Sequence, residues 1–351
     1  HRKVGIFLLI PHPHYPIKNF ESFETQTTDF SIRHTPYARD ITRQLVEAFR
    51  REGLAVGFYF SPDDFYFLYR QFQAISRDAP HAHPTHNAAL MRHNEAQLRE
   101  LLTAYGPVDI LFLDGEPAGL KELAWQLQPD IVVTRGEMKT PEERLPGQPL
   151  PGVWEACFPM GTQWQYKPTN ERYKTGRQLI EMLIETRAKG GNFLLNIGPT
   201  PDGLIPSEQE RLLRELAAWM FINGEAIHGV HPWGVTQEEQ VNRDTGVWFT
   251  QAGDGSAVFA CITGAPWPWG VRREFLFTSL QATDRTQVSI LGESGVELEY
   301  RPDVDPQPQW RNTWQGLHVS AMRTKRVYND YDWPNPVVLK LTHVIPSEKQ
   351  P

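Results

Sequence analysis

Apolar runs of strand length alternate with amphipathic helical patterns over roughly the first 225 residues. Val4–Ile10 is almost wholly apolar and predicts a buried strand. "ARDITRQLVEAFRREG" follows as a helix, with Ile41, Leu45 and Phe49 on its inward face and Gly53 as its stop. The strand "LAVGFYF" (54–60) leads into a long, His-rich loop. The next helix, about 87–105, carries Leu90, Leu98, Leu101 and Leu102 and ends at Gly106-Pro107. "VDILFLD" (108–114) and "DIVVT" (130–134) are strands on either side of the helix "GLKELAWQLQ". Past a Pro-rich loop, "ERYKTGRQLIEMLIETRAKGG" is a helix with Leu179, Ile180, Leu183 and Ile184 inward. "NFLLNIG" is the strand after it, and 207–222 is a further helix with Ser207 as its cap.

Sustained strand–helix alternation means a parallel sheet with crossovers, and the form expected is a (β/α)8-like TIM barrel. Fewer strands are legible than the eight that closure needs, so some are cryptic or the N-terminal part is absent. From about Val235 the rhythm changes to short strands, "VWFT", "AVFACI", "EFLFTSL", "QVSIL", "LHVSA" and "VVLKL", separated by turn residues. That pattern predicts a C-terminal antiparallel β-sandwich. The chain is therefore expected to be α/β, with a barrel domain over 1–232 and a sandwich over 233–351.

Composition narrows the function classes. The net charge of −7 argues against a nucleic-acid binder, and the longest apolar run, "VGIFLLI", is too short to span a membrane. Cys157 and Cys261 are too few and too far apart for a disulfide framework or a zinc site, so both are expected to be buried structural thiols. Eleven Trp, eleven Tyr and 18 Phe suit either a large core or the stacking faces of a carbohydrate site.

In a parallel barrel the catalytic groups sit at the carboxyl ends of strands. Asp114 closes the apolar strand "DILFLD", where a carboxylate is costly to bury without partners or a task. The bland alternative is an N-cap for the following helix. The next strand is followed by "TRGEMKTPEER", with Arg135, Glu137, Glu142 and Glu143, and an acid there facing Asp114 would suit a retaining glycosidase. Taken singly, these glutamates are more ordinary as solvated loop charges. Glu155, in "GVWEACF", has apolar neighbours and reads as an ion-pair partner or a site acid.

The chain resembles the α-L-fucosidases of glycoside hydrolase family 29. The resemblance is carried by "LLTAYGPVDILFLDGE", "RAKGGNFLLNIGPTPDGLIP", "NGEAIHGVHPW", "FETQTTDFSIRHTPYARDI" and "GLAVGFYFSPDDF", and by the TPE and WE elements. It implies a barrel followed by a β-sandwich, and hydrolysis of terminal α-L-fucosyl linkages through a covalent intermediate without metal or cofactor. It implies Asp114 as nucleophile and Glu142 as acid/base, with Glu155 and Glu137 as fallbacks. Tyr59, Phe112, Arg135 and Trp164 correspond to sugar-pocket positions. The family's paired His motif aligns without gaps on Tyr15–Phe20, which holds no His; a small insertion would instead place His12 and His14 there. "WGY" becomes Trp164-Gln165-Tyr166, and the first barrel strand is expected before residue 1. Competing readings are a catalytically impaired glycan-binding relative, or a related retaining glycosidase with another sugar. The implied partner is a fucosylated oligosaccharide or glycoconjugate. A secreted or periplasmic location follows from the resemblance alone, and homo-oligomerisation stays open. The stretch 187–206 is expected to shape turns, with Asn196 bonding loop backbone, and Trp267 and Trp269 are expected to pack.

Overall fold

The early apolar runs become neighbouring parallel strands in the structure, a computed structural model that describes residues 6–9, 21–240, 245–295, 298, 301–325 and 334–347. His12 and His14 lie outside the described residues. The chain divides into two units, 1–140 and 141–351.

The first unit runs β1 (Ile6–Leu9), α1 (Ile41–Arg51), β2 (Ala55–Phe60), α2 (Phe65–Arg70), α3 (Ala88–Ala104), β3 (Ile110–Leu113), α4 (Leu120–Leu127) and β4 (Val132–Thr134). The four strands form one parallel sheet in chain order. Because side chains alternate across a strand, Phe58, Phe60, Leu111 and Leu113 point to one face, where they join Val46 of α1, Leu98 and Leu101 of α3 and Leu123 of α4 in a dry core. Tyr59 and Phe112 therefore point to the other face. The register sets Tyr59 opposite Phe112, and Phe112 opposite Thr134.

The second unit begins with β5 (Glu155–Pro159), α5 (Gly176–Ala188), β6 (Asn192–Asn196) and α6 (Ser207–Asn223), and β5 and β6 pair in parallel. Antiparallel strands follow: β7 (Val230–Glu239), β8 (Thr245–Ala252), β9 (Ala257–Gly264), β10 (Arg272–Phe277), β11 (Leu280–Ile290), β12 (Gln309–Thr313), β13 (Gly316–Met322) and β14 (Val337–Pro346). They form two sheets, β11-β14-β9-β8-β7 and β10-β13-β12. Phe249, Val258 and Leu339 of the first share a core with Phe275, Phe277 and Val319 of the second, and Trp267 is buried with them. The expected packing role of Trp267 holds, and its indole N–H donates to the Val271 carbonyl at 2.7 Å.

Several expectations need correction. On α1 the buried positions are Thr42 and Val46, whereas Leu45 is 37% exposed. Thr42 can be buried because its hydroxyl is bonded to Ser22 Oγ at 2.9 Å. Helix α5 starts five residues later than its amphipathic pattern, at Gly176, because Thr175 and Gln178 form a reciprocal capping box there. Ser207 is the first residue of α6 and not its cap, which is Pro206. Strands β5, β7 and β12 were not expected: β5 is short and ends in Pro, β7 contains Pro232 and Gly234, and β12 is mostly polar and exposed. The 232/233 boundary read from the sequence falls inside β7.

The stretch 187–206 shapes the chain around β6. A Cβ on Gly191 would stand 2.4 Å from the fully buried Trp154 indole, and one on Gly198 would stand 2.7 Å from the Tyr166 amide nitrogen. Asn192 Nδ2 donates to the Trp154 carbonyl at 3.2 Å, and Asn196 Nδ2 donates to the Trp164 carbonyl at 2.6 Å. The expected backbone bond of Asn196 is thus present.

Candidate active site

The carboxyl ends of β2, β3 and β4 bring together three residues that the sequence marked separately. Asp114 lies one pleat beyond Phe112 and on the same face, directly after β3. It is 5% exposed, and its backbone N–H donates to the Phe60 carbonyl at 2.9 Å, which ties it to the end of β2. The N-cap of α4 is Gly119, so Asp114 is not spent on capping that helix.

Both carboxylate oxygens are engaged. Arg135, just past β4, places Nε 3.0 Å from Oδ1. Arg77 donates from Nη2 to Oδ2 at 2.9 Å, and the Tyr59 hydroxyl donates a short hydrogen bond to the same oxygen. Burial pushes the Asp114 carboxyl up. Hydrogen bonds from Arg77 and Tyr59 and the charge of Arg135 outweigh it and hold the group below the usual carboxylate range. Asp114 is therefore an anion at neutral pH, with a fixed direction. Burial and the adjacent charge of Asp114 push the Tyr59 phenol far up, so Tyr59 stays protonated and can only donate to that anion.

Beside the carboxylate lies an apolar wall. Tyr59 and Phe112 stack with centroids 5.5 Å apart, and the Arg135 guanidinium sits 5.7 Å from the Phe112 ring centroid. An anionic oxygen pair next to stacked rings offers charge for an electron-poor carbon and a surface for C–H groups. Arg135, which the resemblance matches to a sugar-contacting position, pairs with the carboxylate.

Sequence reasoning missed Arg77, Asp63 and Ser61. Arg77 Nε donates to Asp63 Oδ2 at 2.6 Å, and Ser61 Oγ donates to Asp63 Oδ1 at 2.5 Å. The only hint was physical: a carboxylate ending a buried strand needs cations, and the loop after β2 was one place to look for them.

The candidate acids separate clearly. Glu137 is an exposed loop residue that bonds Lys121 Nζ at 2.6 Å, the solvated reading of that charge. Glu142 is exposed and forms an isolated parallel bridge with Cys157 of β5. Glu155 is only 6% exposed and opens β5, at the amino end of the strand, opposite Asn192 at the amino end of β6. In parallel α/β sheets reactive groups gather at the other end. Its Oε1 has no hydrogen-bond partner among the described residues, and burial pushes its carboxyl up to about 7. Trp164 is half-buried, with Gln165 exposed beside it. Cys157 and Cys261 are buried thiols in no disulfide, as expected.

Glu155 has a measurable consequence. The folded state binds its proton more tightly than the unfolded chain, where such a carboxyl titrates near 4.5. Stability is thus undiminished below pH 4.5, falls as pH rises to about 7, and stays reduced above that. The difference amounts to about 3 kcal/mol at pH 8. Glu155→Gln is expected to recover roughly that much at pH 8 and nothing at pH 4.5, read by urea unfolding at both pH values. An equal effect at the two pH values would contradict a buried carboxylate that becomes charged at pH 8 with Oε1 unsatisfied.

Comparison with known proteins identifies the family. The alpha-L-fucosidase family model matches residues 14–225. Plasma alpha-L-fucosidase of Rattus norvegicus is 32% identical over 281 residues, covering 72% of this chain and 58% of the relative. Tissue alpha-L-fucosidase of Homo sapiens is 30% identical over 295 residues, covering 76% of this chain and 59% of the relative. The chain thus spans less than two-thirds of the length of these relatives. Among solved structures, alpha-L-fucosidase isoenzyme 1 from Paenibacillus thiaminolyticus superposes with a TM-score of 0.69 at 25% identity, over 92% of this chain and 80% of that one. With a model match over more than half its length and curated relatives at these identities, this chain belongs to the alpha-L-fucosidase family.

Proposed function

We propose that the chain carries the reacting centre of a retaining exo-α-L-fucosidase, which hydrolyses terminal α-L-fucosyl linkages of glycans through a covalent intermediate. The observation that carries this reading is the buried Asp114 carboxylate, held as a directed anion by Arg77, Arg135 and Tyr59 beside the Phe112 ring. The fold reading that accompanies it is a (β/α)8-like barrel over 1–232 and a β-sandwich over 233–351.

In this reading an Asp114 oxygen attacks the anomeric carbon while the bond to the aglycone oxygen breaks, and Glu142 supplies that oxygen's proton. Water then attacks the same carbon and gives its proton to Glu142, and the electron pair of the sugar–Asp114 bond returns to the carboxylate. Phe112 and Trp164 supply apolar surface for the fucose methyl, and His12 and His14 remain candidates for its hydroxyls. Tyr59 and Arg135 act through the carboxylate they touch.

The test is release of L-fucose from 4-nitrophenyl α-L-fucoside, with the first-formed anomer followed by NMR. The α-anomer is expected first. A β-anomer would overturn retention, and turnover of a different aryl glycoside in place of the fucoside would overturn the substrate assignment.

A further inference from the structure

Arg77 reaches the strand-end carboxylate from a loop to which the sequence attached no chemistry. It follows α2, 37 positions before Asp114, and its guanidinium spans two acids. Nε donates to Asp63 Oδ2 at 2.6 Å, and Nη2 donates to Asp114 Oδ2 at 2.9 Å and to the Asp114 backbone carbonyl at 3.1 Å. Nη2 also lies 3.4 Å from Asp63 Oδ1, the oxygen that accepts from Ser61. The side chain of Arg77 is 41% exposed, whereas those of Asp63 and Asp114 are 9% and 8% exposed. A long side chain with that access to water loses rotamer freedom when it is held at both ends, so the fork is an organised clamp.

A retaining cycle asks two opposite things of one carboxylate. It must attack the anomeric carbon in the first step and leave it in the second. Donors on its oxygens oppose the attack and favour the departure, because the negative charge lost on forming the ester reappears on those oxygens when the ester breaks. Arg77 and Tyr59 already face Oδ2, and Arg135 already faces Oδ1, so no reorganisation is needed to receive it.

We propose that Arg77 is a positioning residue which, anchored by Asp63, holds Asp114 in one orientation and makes it a good leaving group, so that breakdown of the glycosyl-enzyme depends on Arg77 more than its formation does. This rests on the retaining-fucosidase reading. In the second step water adds to the anomeric carbon, its proton passes to the base, and the sugar–Asp114 bond breaks with its electron pair returning to the carboxylate.

The experiment compares the unaltered protein with Arg77→Leu and Arg77→Lys on 4-nitrophenyl α-L-fucoside, in the steady state and by stopped flow. For Arg77→Leu, kcat is expected to fall about 10- to 100-fold while kcat/KM falls less than about threefold, as for loss of a group that orients a reacting residue. KM then falls nearly in step with kcat, and a burst of nitrophenolate close to the enzyme concentration appears. Arg77→Lys is expected to keep the burst, since a point charge cannot hold Asp63 and Asp114 together as the planar fork does.

A second readout needs no turnover. In 13C-aspartate NMR, with the Asp114 signal identified by its loss in Asp114→Asn, the carboxyl midpoint is expected to rise by about one pH unit in Arg77→Leu. Equal losses in kcat and kcat/KM with no burst would overturn the leaving-group role, and an unmoved Asp114 midpoint would overturn the positioning role. If the unaltered protein released no fucose, the fucosidase reading would fail alone and the titration would still decide whether Arg77 governs Asp114. Should Arg77→Leu fail to fold, Arg77→Lys carries the same readouts.

Discussion

Asp114→Asn is expected to abolish fucose release from 4-nitrophenyl α-L-fucoside, with kcat lowered at least about a thousandfold. The amide is nearly isosteric with the carboxylate and still accepts hydrogen bonds from Tyr59 or a guanidinium, so the loss is chemical and the protein keeps its fold. An amide oxygen cannot form the glycosyl ester and bears no charge to meet the developing positive charge at the anomeric carbon. Azide with this variant would tell more still. A small anion entering beside Arg77 and Arg135 replaces the missing nucleophile and yields the β-fucosyl azide, inverted relative to the substrate. Activity within about tenfold of the unaltered protein, with the fold intact, would remove Asp114 from the nucleophile role.

The next largest effect belongs to the acid/base, where Glu142 and Glu155 stand apart by place in the fold. Glu142→Gln is expected to cost about 10²- to 10⁴-fold on a fucosyl disaccharide, whose alkoxide leaves poorly without a proton. It costs far less in the first step on an activated aryl fucoside, because that leaving group departs unaided. The glycosyl-enzyme then accumulates for want of a base, and azide, which has no proton to lose, restores turnover with α-fucosyl azide as product. Glu155→Gln is expected to show none of this, since Glu155 opens β5 at the amino end of the strand and leaves its trace in stability instead. The reverse pattern, with leaving-group dependence and azide rescue in Glu155→Gln alone, would move the acid/base to Glu155. Glu137, held by Lys121 on the surface, is expected to be neutral in the same assay.

The carboxylate pair also illustrates how environment assigns roles. Asp114 and Glu155 are both buried, yet one is held below the ordinary carboxylate range and the other is pushed up to about 7. The difference lies in partners. Asp114 meets two guanidinium groups and a phenol, whereas Glu155 Oε1 meets none. A perturbed carboxyl alone would have pointed to Glu155; its place at the start of the strand argues against that choice.

Much of the architecture was legible because it is local. The leucines of α3, the apolar run of β3 ending in Asp114 and the change of period before β8 each follow from a few consecutive residues. Errors arose where local signals compete. Thr42 reads as polar but is buried through Ser22, and Pro232 and Gly234 interrupt the strand pattern of β7 yet lie within it. What the sequence by itself determined is that a carboxylate closes a buried strand and must be compensated, since an unpaired charge in a dry sheet is prohibitively costly. Only the tertiary structure decided who compensates it, because Arg77 and Arg135 reach Asp114 from segments whose meeting depends on strand register and loop path, which no run of neighbouring residues encodes.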